Sequence, residues 1–386
     1  MRDMCHSSAM TTAPMSHTNS ADYAANARYV RPWFWYDWAN SAFVTTIGTV
    51  LYGPYITSIA KAAACPGQDS DLDCATNLSV LGIPIAPGSL APYTTTVATI
   101  LSAIVLIFVG AIVDRMERPA AFLGLCAWGG AASAAGLFFV TGDNWQLGSI
   151  LMILATVFLG SSLVTYDSML NLIASPDDRD RVSSRGWALG YLGGGLLLAV
   201  NLVLVTMLPF GLSTGLAVRI SMLSAALWWG LFAVITIRGT WTLRNVTKPD
   251  EAAHGGAVRG SLAQLRSTFV DLRRHHPQTM LFLLAYLFYN DGIQTVISAS
   301  SLYGAEELKF EQSQLIALIL LVQFVAFGGA LLFGRIAARK GASRTVLGSL
   351  VMWTAIVILA FFVPERAFIP FPVSYTHLTL PTNREV

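Results

Sequence analysis

Hydrophobic positions are grouped along the chain into long blocks, and the polar positions are collected in the segments between them. An α-helix needs about 20 mostly apolar residues to cross the hydrocarbon core of a bilayer. The blocks that reach this length predict membrane spans at residues 33–58, 92–113, 119–140, 147–174, 187–209, 217–237, 278–303, 313–334 and 344–363. The pattern therefore predicts an all-α membrane protein with nine spans.

Basic residues mark one side of the predicted membrane. Lys and Arg concentrate in the N-terminal segment and in the gaps after spans two, four, six and eight, whereas the other gaps hold only Lys61, Arg219 and Lys309. Since basic residues accumulate in cytoplasmic loops, we expect the N-terminus to lie in the cytoplasm. The net charge of +2 reflects this topology and predicts no nucleic-acid partner. With 54% hydrophobic and 12% charged residues, the composition excludes a soluble globular protein.

The gaps divide the chain into five predicted regions. Residues 1–30 are expected to form a disordered cytoplasmic tail, because they are polar and lack the apolar core of a signal peptide. Residues 31–238 hold six spans, residues 278–365 hold three, and residues 366–386 form a tail. Between the two groups, residues 239–277 form a cytoplasmic linker. Its apolar residues recur at helical spacing among arginines, which predicts an amphipathic helix lying either on the membrane surface or beneath the bundle.

Two short motifs recur along the chain. Leu-Tyr-Gly at residues 51–53 is repeated at residues 302–304, near the ends of spans one and seven. Gly-Ala-Ile-Val-Asp-Arg at residues 110–115 has a weaker copy, Gly-Arg-Ile-Ala-Ala-Arg, at residues 334–339, after spans two and eight. The two offsets differ by the extra length of the first external gap. Repeated halves of this kind are typical of secondary transporters.

Three acidic residues lie inside predicted spans, where charge is rare and usually functional. Asp291 is about 13 residues into span seven, or roughly 20 Å at 1.5 Å per residue, close to the membrane midplane. Asp167 lies in the inner third of span four, and Asp37 lies near the inner mouth of span one. These carboxyls either face a central cavity or, for Asp37 and Asp167, are solvated or paired with loop arginines such as Arg185. The predicted substrate and proton pathway comprises Asp37, Asn40, Tyr166, Asp167, Asn290, Asp291 and Gln294.

Small residues and cysteines have predicted structural roles. Paired glycines in spans five and eight are expected to let helices approach closely. They are Gly193, Gly194, Gly328 and Gly329. Cys65 and Cys74 share the first external gap, where an oxidising compartment permits a disulfide, with two free thiols as the alternative. No grouping has the spacing of a metal or cofactor site, and no nucleophile–base pair lies in a sizeable aqueous segment, so we predict neither a metal nor a cofactor and no enzyme.

Three segments resemble motifs of one transporter family. Residues 110–118, Gly-Ala-Ile-Val-Asp-Arg-Met-Glu-Arg, resemble the signature G-x-x-x-D-R-x-x-R of the major facilitator superfamily, in the loop between spans two and three. Residues 36–43 and 182–194 resemble the hallmark of the vacuole-effluxer-like, or autophagy-related, branch. The resemblance covers residues 28 to about 363. It implies a major-facilitator-type helical bundle of two six-helix halves, whose central cavity opens alternately to each side.

The resemblance also implies a function. We expect a secondary active transporter that moves small solutes by alternating access and is coupled to protons. Amino acids are the expected substrates, because yeast members of the branch are associated with amino-acid efflux from the vacuole. The alternative is a non-transporting scaffold or sensor that retains a carrier fold. Gly110, Asp114, Arg115 and Arg118 match the positions of an inner-side latch that acts partly against the eleventh helix. We expect a monomer in a bacterial cytoplasmic membrane, with the bilayer and a small-molecule substrate as its partners.

The span count departs from the family pattern. The superfamily has twelve spans, about nine of which are predicted here, so the second half is expected to be incomplete, with three of its six helices. The residues after Pro372 turn polar and resemble neither a tenth span nor its loop. We therefore expect a truncated or mis-terminated chain with a non-native tail.

Overall fold

The architecture comes from a computed structural model, which describes residues 20–67, 74, 76–80, 82–245, 267, 269–306 and 312–362. Within these residues, a helix lies at each of the nine predicted positions. The first, α1, joins three consecutive segments, and a short helix, Ser20–Asn26, precedes it. The helices are α1 (Val30–Ala42, Phe43–Leu51 and Tyr52–Ala64), α2 (Leu90–Arg115), α3 (Pro119–Gly136), α4 (Trp145–Ile173), α5 (Arg179–Met207), α6 (Thr214–Gly239), α7 (Pro277–Glu306), α8 (Gln312–Lys340) and α9 (Ala342–Phe361).

Seven of the described helices are long and apolar enough to cross a membrane. They are α1 to α6 and α8. Helix α9 has a shorter apolar stretch, Ser343–Leu359. The prediction of an all-α, multi-pass membrane protein is confirmed.

Parts of the predicted regions lie outside the described residues. They include residues 1–19 of the N-terminal tail, 246–266 of the linker and 363–386 at the C-terminus. The predicted amphipathic helix is described only in part, because residues 269–275 are helical.

The middle segment of α1 is a π-helix, which the hydropathy pattern did not predict. Phe43–Leu51 forms this segment, and six of its nine residues are β-branched. Branching at Cβ restricts side-chain rotamers and lowers α-helix propensity. The π-helix therefore coincides with a part of α1 that has a weak local preference for the α form.

The first external loop carries a small hairpin, which was also not predicted. Leu78–Val80 and Ile83–Ile85 form antiparallel strands β1 and β2, with Val80 opposite Ile83. Gly82 supplies the turn with φ of 84°, a left-handed conformation that favours glycine. In the same loop, Cys65 and Cys74 form a disulfide. Of the two alternatives left open for these cysteines, the structure has the bonded one.

Helices α1 to α6 pack around a core rich in aromatic side chains. α1 packs against α5 and α6, α2 against α4, and α3 against α4 and α6. Trp33, Tyr36, Tyr166 and Trp229 are each at most 1% exposed. Trp229 of α6 lies against Gly130 of α3, where a Cβ atom would overlap the indole ring. A small residue thus admits the largest side chain of the core.

Helix α8 packs along α5 and joins the two parts of the bundle. The two helices run antiparallel. Near their middle, Gly195 of α5 faces Gln323, whose Cβ would lie 3.1 Å from a Cβ on that glycine. At the predicted cytoplasmic end, Gly334 of α8 faces Ser184, whose Oγ atom a Cβ at position 334 would overlap. Both α7 and α9 contact α8.

Two helices continue past the boundaries predicted from hydropathy. α5 begins at Arg179 instead of residue 187, and α8 ends at Lys340 instead of residue 334. Hydropathy marks where the apolar environment ends, and both helices continue beyond it through segments that contain several arginines, which have good helix propensity. These two extensions place arginines of α5 and α8 side by side at the predicted cytoplasmic surface.

Candidate functional site

The Asp37 carboxyl is buried where α1, α4 and α5 meet. Asp37 is 4% exposed, and its Oδ2 atom accepts a hydrogen bond of 2.7 Å from the Tyr166 hydroxyl of α4. On the α5 side, Gly186 lies so close that a Cβ atom there would be 2.5 Å from the same oxygen. Of the environments that the sequence left open, the structure therefore has a buried carboxyl and not one open to solvent at the inner mouth.

Aromatic packing fixes the Tyr166 hydroxyl in this position. The Trp33 ring stacks on the Tyr166 ring with centroids 4.1 Å apart and planes 9° apart. The Trp33 indole also donates a 2.9 Å hydrogen bond from Nε1 to the Tyr166 carbonyl. The Tyr36 ring lies 5.1 Å from the Tyr166 ring. These contacts hold the phenol in one orientation, so its hydroxyl remains directed at the carboxylate.

Two other predicted residues lie near this centre. Asn40, one turn along α1 from Asp37, is 5% exposed and donates from Nδ2 to the Tyr36 carbonyl at 2.7 Å. Asp167 is half-buried on α4.

A hydrogen bond connects α1 directly to α8. The Gln323 amide of α8 donates from Nε2 to Thr45 Oγ1 of the π-helical segment at 2.7 Å. Thr45 is 3% exposed. Neither Thr45 nor Gln323 is among the residues predicted for the substrate and proton pathway. The two groups lie where the first six helices meet the later ones.

The predicted residues of α7 lie in a more open environment. Asn290 is half-buried, whereas Asp291 and Gln294 are exposed. The Asp37 carboxyl, by contrast, is enclosed by the first six helices. Of the three predicted intramembrane acids, Asp37 is the one that the structure buries.

The predicted latch residues lie at the end of α2 and in the loop after it. A Cβ atom added at Gly110 would meet nothing within 4 Å, and Asp114, Arg115 and Arg118 are exposed. The segment after α6 reaches this loop. The Asn245 side chain donates from Nδ2 to the Asp114 carbonyl at 3.1 Å. The Asn245 backbone N–H donates to the Glu117 carbonyl at 3.0 Å.

An exposed ion pair adds to this junction. Arg244 and Glu117 approach to 2.7 Å, with side chains 61% and 63% exposed. These contacts of the motif are therefore made to the segment that directly follows α6.

The predicted packing glycines separate into two groups. Gly193 packs against Trp38, and Gly194 packs against Ser41 and Thr45, so both serve the contact between α5 and α1. At Gly328 an added Cβ would meet nothing within 4 Å, so this glycine is not needed for close packing. Gly329 is half-buried. The close approach of α5 to α8 uses two other glycines, Gly195 of α5 and Gly334 of α8. On α5, Gly194 faces α1 and the next residue, Gly195, faces α8.

The fold is that of the major facilitator superfamily. The structure resembles the proton:xylose symporter XylE bound to 6-bromo-6-deoxy-D-glucose, with a TM-score of 0.55 and 12% identity over 95% of this chain and 81% of that one. It also resembles a partially occluded inward-open conformation of XylE from E. coli, with a TM-score of 0.51 and 14% identity over 92% of this chain and 84% of that one. At these identities the likeness establishes the fold.

Sequence relatives narrow the class to one family. The family model described as "Vacuole effluxer Atg22 like" matches residues 25–180 and 174–372, so the chain belongs to the Atg22-like family of major facilitator transporters. The uncharacterized MFS-type transporter YxiO of Bacillus subtilis is 26% identical over 86% of this chain and 72% of its own length. Autophagy-related protein 22 of Pyricularia oryzae is 23% identical over 79% of this chain. The chain spans 53% of that fungal relative.

Membership in a transporter family confirms two predictions, the recognised family and the absence of an enzyme class. The chain thus has the family and the fold of secondary transporters.

Proposed function

We propose that the protein moves small solutes, with amino acids as the substrate class, across the cytoplasmic membrane by proton-coupled alternating access. In this proposal the N-terminus lies in the cytoplasm, as the alternating basic gaps favour, and the chain acts as a monomer within the bilayer. The family resemblance supports the substrate class, and the buried carboxyl of Asp37 supports the coupling ion.

The observation that carries the proposal is the environment of Asp37. A carboxylate is expensive to keep charged away from water, and acids inside membrane helices commonly serve proton relays. The Tyr166 hydroxyl donates to this carboxyl and so offers partial compensation to the charged form. Proton uptake removes the charge and leaves a carbonyl-type oxygen that still accepts from the same hydroxyl. Both protonation states are therefore compatible with this one site.

The packing around Asp37 gives a route from protonation to helix movement. Gly186 and Gly190 of α5 lie directly against Asp37 and its neighbour Ser41. An ion and a neutral acid differ in their preferred distance from donors and from apolar surface. A change at Asp37 therefore acts on α5, the helix that also packs against α8.

The test is uptake into proteoliposomes with Asp37→Asn, which keeps the size of the side chain and an acceptor for the tyrosine. A panel of labelled amino acids is offered with and without an imposed pH gradient, and counterflow exchange is measured separately. We expect the variant to lose gradient-driven accumulation but to retain counterflow. Asp291→Asn is measured in parallel as the second predicted proton site. Asp143→Asn, at an exposed acid in the loop between α3 and α4, serves as the matched control and is expected to leave coupling intact.

Two results would count against the proposal. Undiminished gradient-driven uptake in Asp37→Asn would remove this carboxyl from the coupling site. A correctly folded wild-type protein that moves none of the solutes in either assay would favour a non-transporting scaffold or sensor with a carrier fold.

A further inference from the structure

Four arginines converge on one pocket between α5 and α8. The cavity has a volume of about 180 Å³ and lies at the predicted cytoplasmic ends of both helices. Its lining comprises Arg181, Ser184, Arg185, Leu331, Gly334, Arg335, Ala338 and Arg339. Within this lining, Ser184 of α5 and Gly334 of α8 are in close contact. A water molecule occupies about 30 Å³ in the liquid, so the pocket admits a group of several heavy atoms.

The pocket carries an unbalanced positive charge. None of the described residues that line it is acidic. One arginine is partly neutralised from outside, because Arg181 pairs with Asp178 at 2.7 Å. Guanidinium groups at close range repel one another, and the repulsion is reduced when an anion lies among them. The arrangement therefore favours a bound anion over an empty cavity.

The internal repeat explains why the acid is missing. In the first half the motif runs from Gly110 to Arg115, with Asp114 before its final arginine. In the copy after α8, Gly334 and Arg339 hold the corresponding positions, and Ala338 replaces the aspartate. The second copy thus has Arg335 and Arg339 but no acidic residue to pair with them. The facing helix α5 contributes two further arginines, Arg181 and Arg185.

The position of the pocket matches the depth of lipid headgroups. The predicted apolar span of α5 begins at residue 187 and that of α8 ends at residue 334, so all four arginines lie within about two turns of that boundary. Basic pockets between membrane helices on the cytoplasmic side bind phosphate-bearing headgroups. Arginine is well suited to this ligand, because its planar guanidinium forms paired hydrogen bonds with phosphate oxygens.

We propose that this pocket binds a phosphate group, which joins α5 to α8 by bonding to arginines from both helices. The group belongs either to an anionic lipid of the inner leaflet or to a soluble phosphate. Binding stabilises the arrangement in which the cytoplasmic ends of α5 and α8 are together, since both helices supply ligands. The proposal does not depend on which solute is transported.

The test measures binding to the purified, delipidated protein by native mass spectrometry. The probes are phosphatidylglycerol, phosphatidylcholine as the zwitterionic reference, and inorganic phosphate as the soluble competitor. Each charge-assisted hydrogen bond contributes about tenfold or more in affinity. We therefore expect the double variant Arg335→Gln/Arg339→Gln to weaken binding of the anionic probe by about tenfold or more. Arg344→Gln removes the same charge from an exposed position outside the pocket and is expected to change affinity by less than about twofold.

A second variant keeps all four arginines and so guards against loss of folding. Ala338→Asp introduces the acid that the first copy of the motif carries. It is expected to weaken binding of the anionic probe, as the double variant does. Selective loss of phosphatidylglycerol binding identifies a lipid headgroup, whereas selective loss of inorganic phosphate binding identifies a free phosphate. Equal weakening by Arg344→Gln and by the double variant would overturn the proposal, as would binding of neither probe above phosphatidylcholine.

Discussion

Alanine in place of Gly186 is expected to disrupt the hydrogen bond between Asp37 and Tyr166. The new Cβ atom would lie 2.5 Å from Asp37 Oδ2 and 3.1 Å from both Tyr166 Oη and Trp33 Cζ3. Carbon–oxygen contacts are usually about 3.3 Å or longer, so the carboxyl must move. Its freedom is small, because Asp37 is buried and the tyrosine is fixed by its stack on Trp33.

The magnitude follows from two contributions that share the same atoms. Leaving a buried polar group without its partner costs about 1–3 kcal/mol, and overpacking a filled interior costs about 1–3 kcal/mol. Because contributions from groups in contact do not add fully, we expect Gly186→Ala to lower the free energy of unfolding by about 2–4 kcal/mol. In a protein of this size each kcal/mol lost lowers Tm by at most roughly 2–4 °C. We therefore expect Tm to fall by several degrees.

Tm is measured in detergent by intrinsic tryptophan fluorescence, on a graded series of alanine variants. Gly190→Ala is expected to have an intermediate effect, because its Cβ would meet Ser41 Oγ at 2.6 Å, and a serine hydroxyl can rotate away. Gly328→Ala is the matched control, since nothing lies within 4 Å of its added Cβ. A Tm for Gly186→Ala as high as that of Gly328→Ala would refute the reasoning.

A double-variant cycle identifies the cause of the loss. In an Asp37→Ala background the carboxyl is absent, so adding Gly186→Ala should cost less than half of what it costs in the native chain. A full penalty in that background would show that the clash lies elsewhere.

Three further perturbations test other parts of the structure. Cys65→Ser/Cys74→Ser opens a loop closed across nine residues, and chain-entropy reasoning predicts a loss of about 2–3 kcal/mol, measured as a lower Tm that dithiothreitol reproduces in the native chain. Gln323→Ala removes the side-chain bond between α8 and α1 and should cost about 1 kcal/mol, read as a shifted denaturant midpoint; an unchanged midpoint would contradict it. Glu117→Ala breaks the exposed pair with Arg244 and should change stability by less than about 1 kcal/mol, with any effect disappearing at high salt.

The positions of the helices could be predicted because each one is an apolar block of membrane length. The hydropathy pattern reports the surrounding solvent, however, and not where a helix ends. For this reason α5 and α8 extend beyond their predicted boundaries. The hairpin of the first external loop was missed because its strands of three residues are too short for a recognisable alternation.

The candidate site could be predicted only in part, for a related reason. The presence of a charged residue in a membrane span identified Asp37 as a candidate, but it did not indicate which residue Asp37 contacts. The partner, Tyr166, lies 129 residues away, and no local signal in the sequence joins the two. Likewise, glycines in α5 indicated close packing but not which neighbour each one faces. Gly194 faces α1, and Gly195, the next residue, faces α8.

Helix α5 is the element that these observations have in common. One of its faces, with Gly186 and Gly190, accommodates the buried carboxyl and its neighbours on α1. The adjacent face, with Ser184 and Gly195, contacts α8. A helix contacted so closely on both faces cannot adjust to a change on one side without altering its contact on the other, because packed interiors do not deform continuously. If Asp37 exchanges a proton and the arginine pocket holds an anion, both act on the position of α5, and the coupling between them requires no residue outside that helix and its immediate contacts.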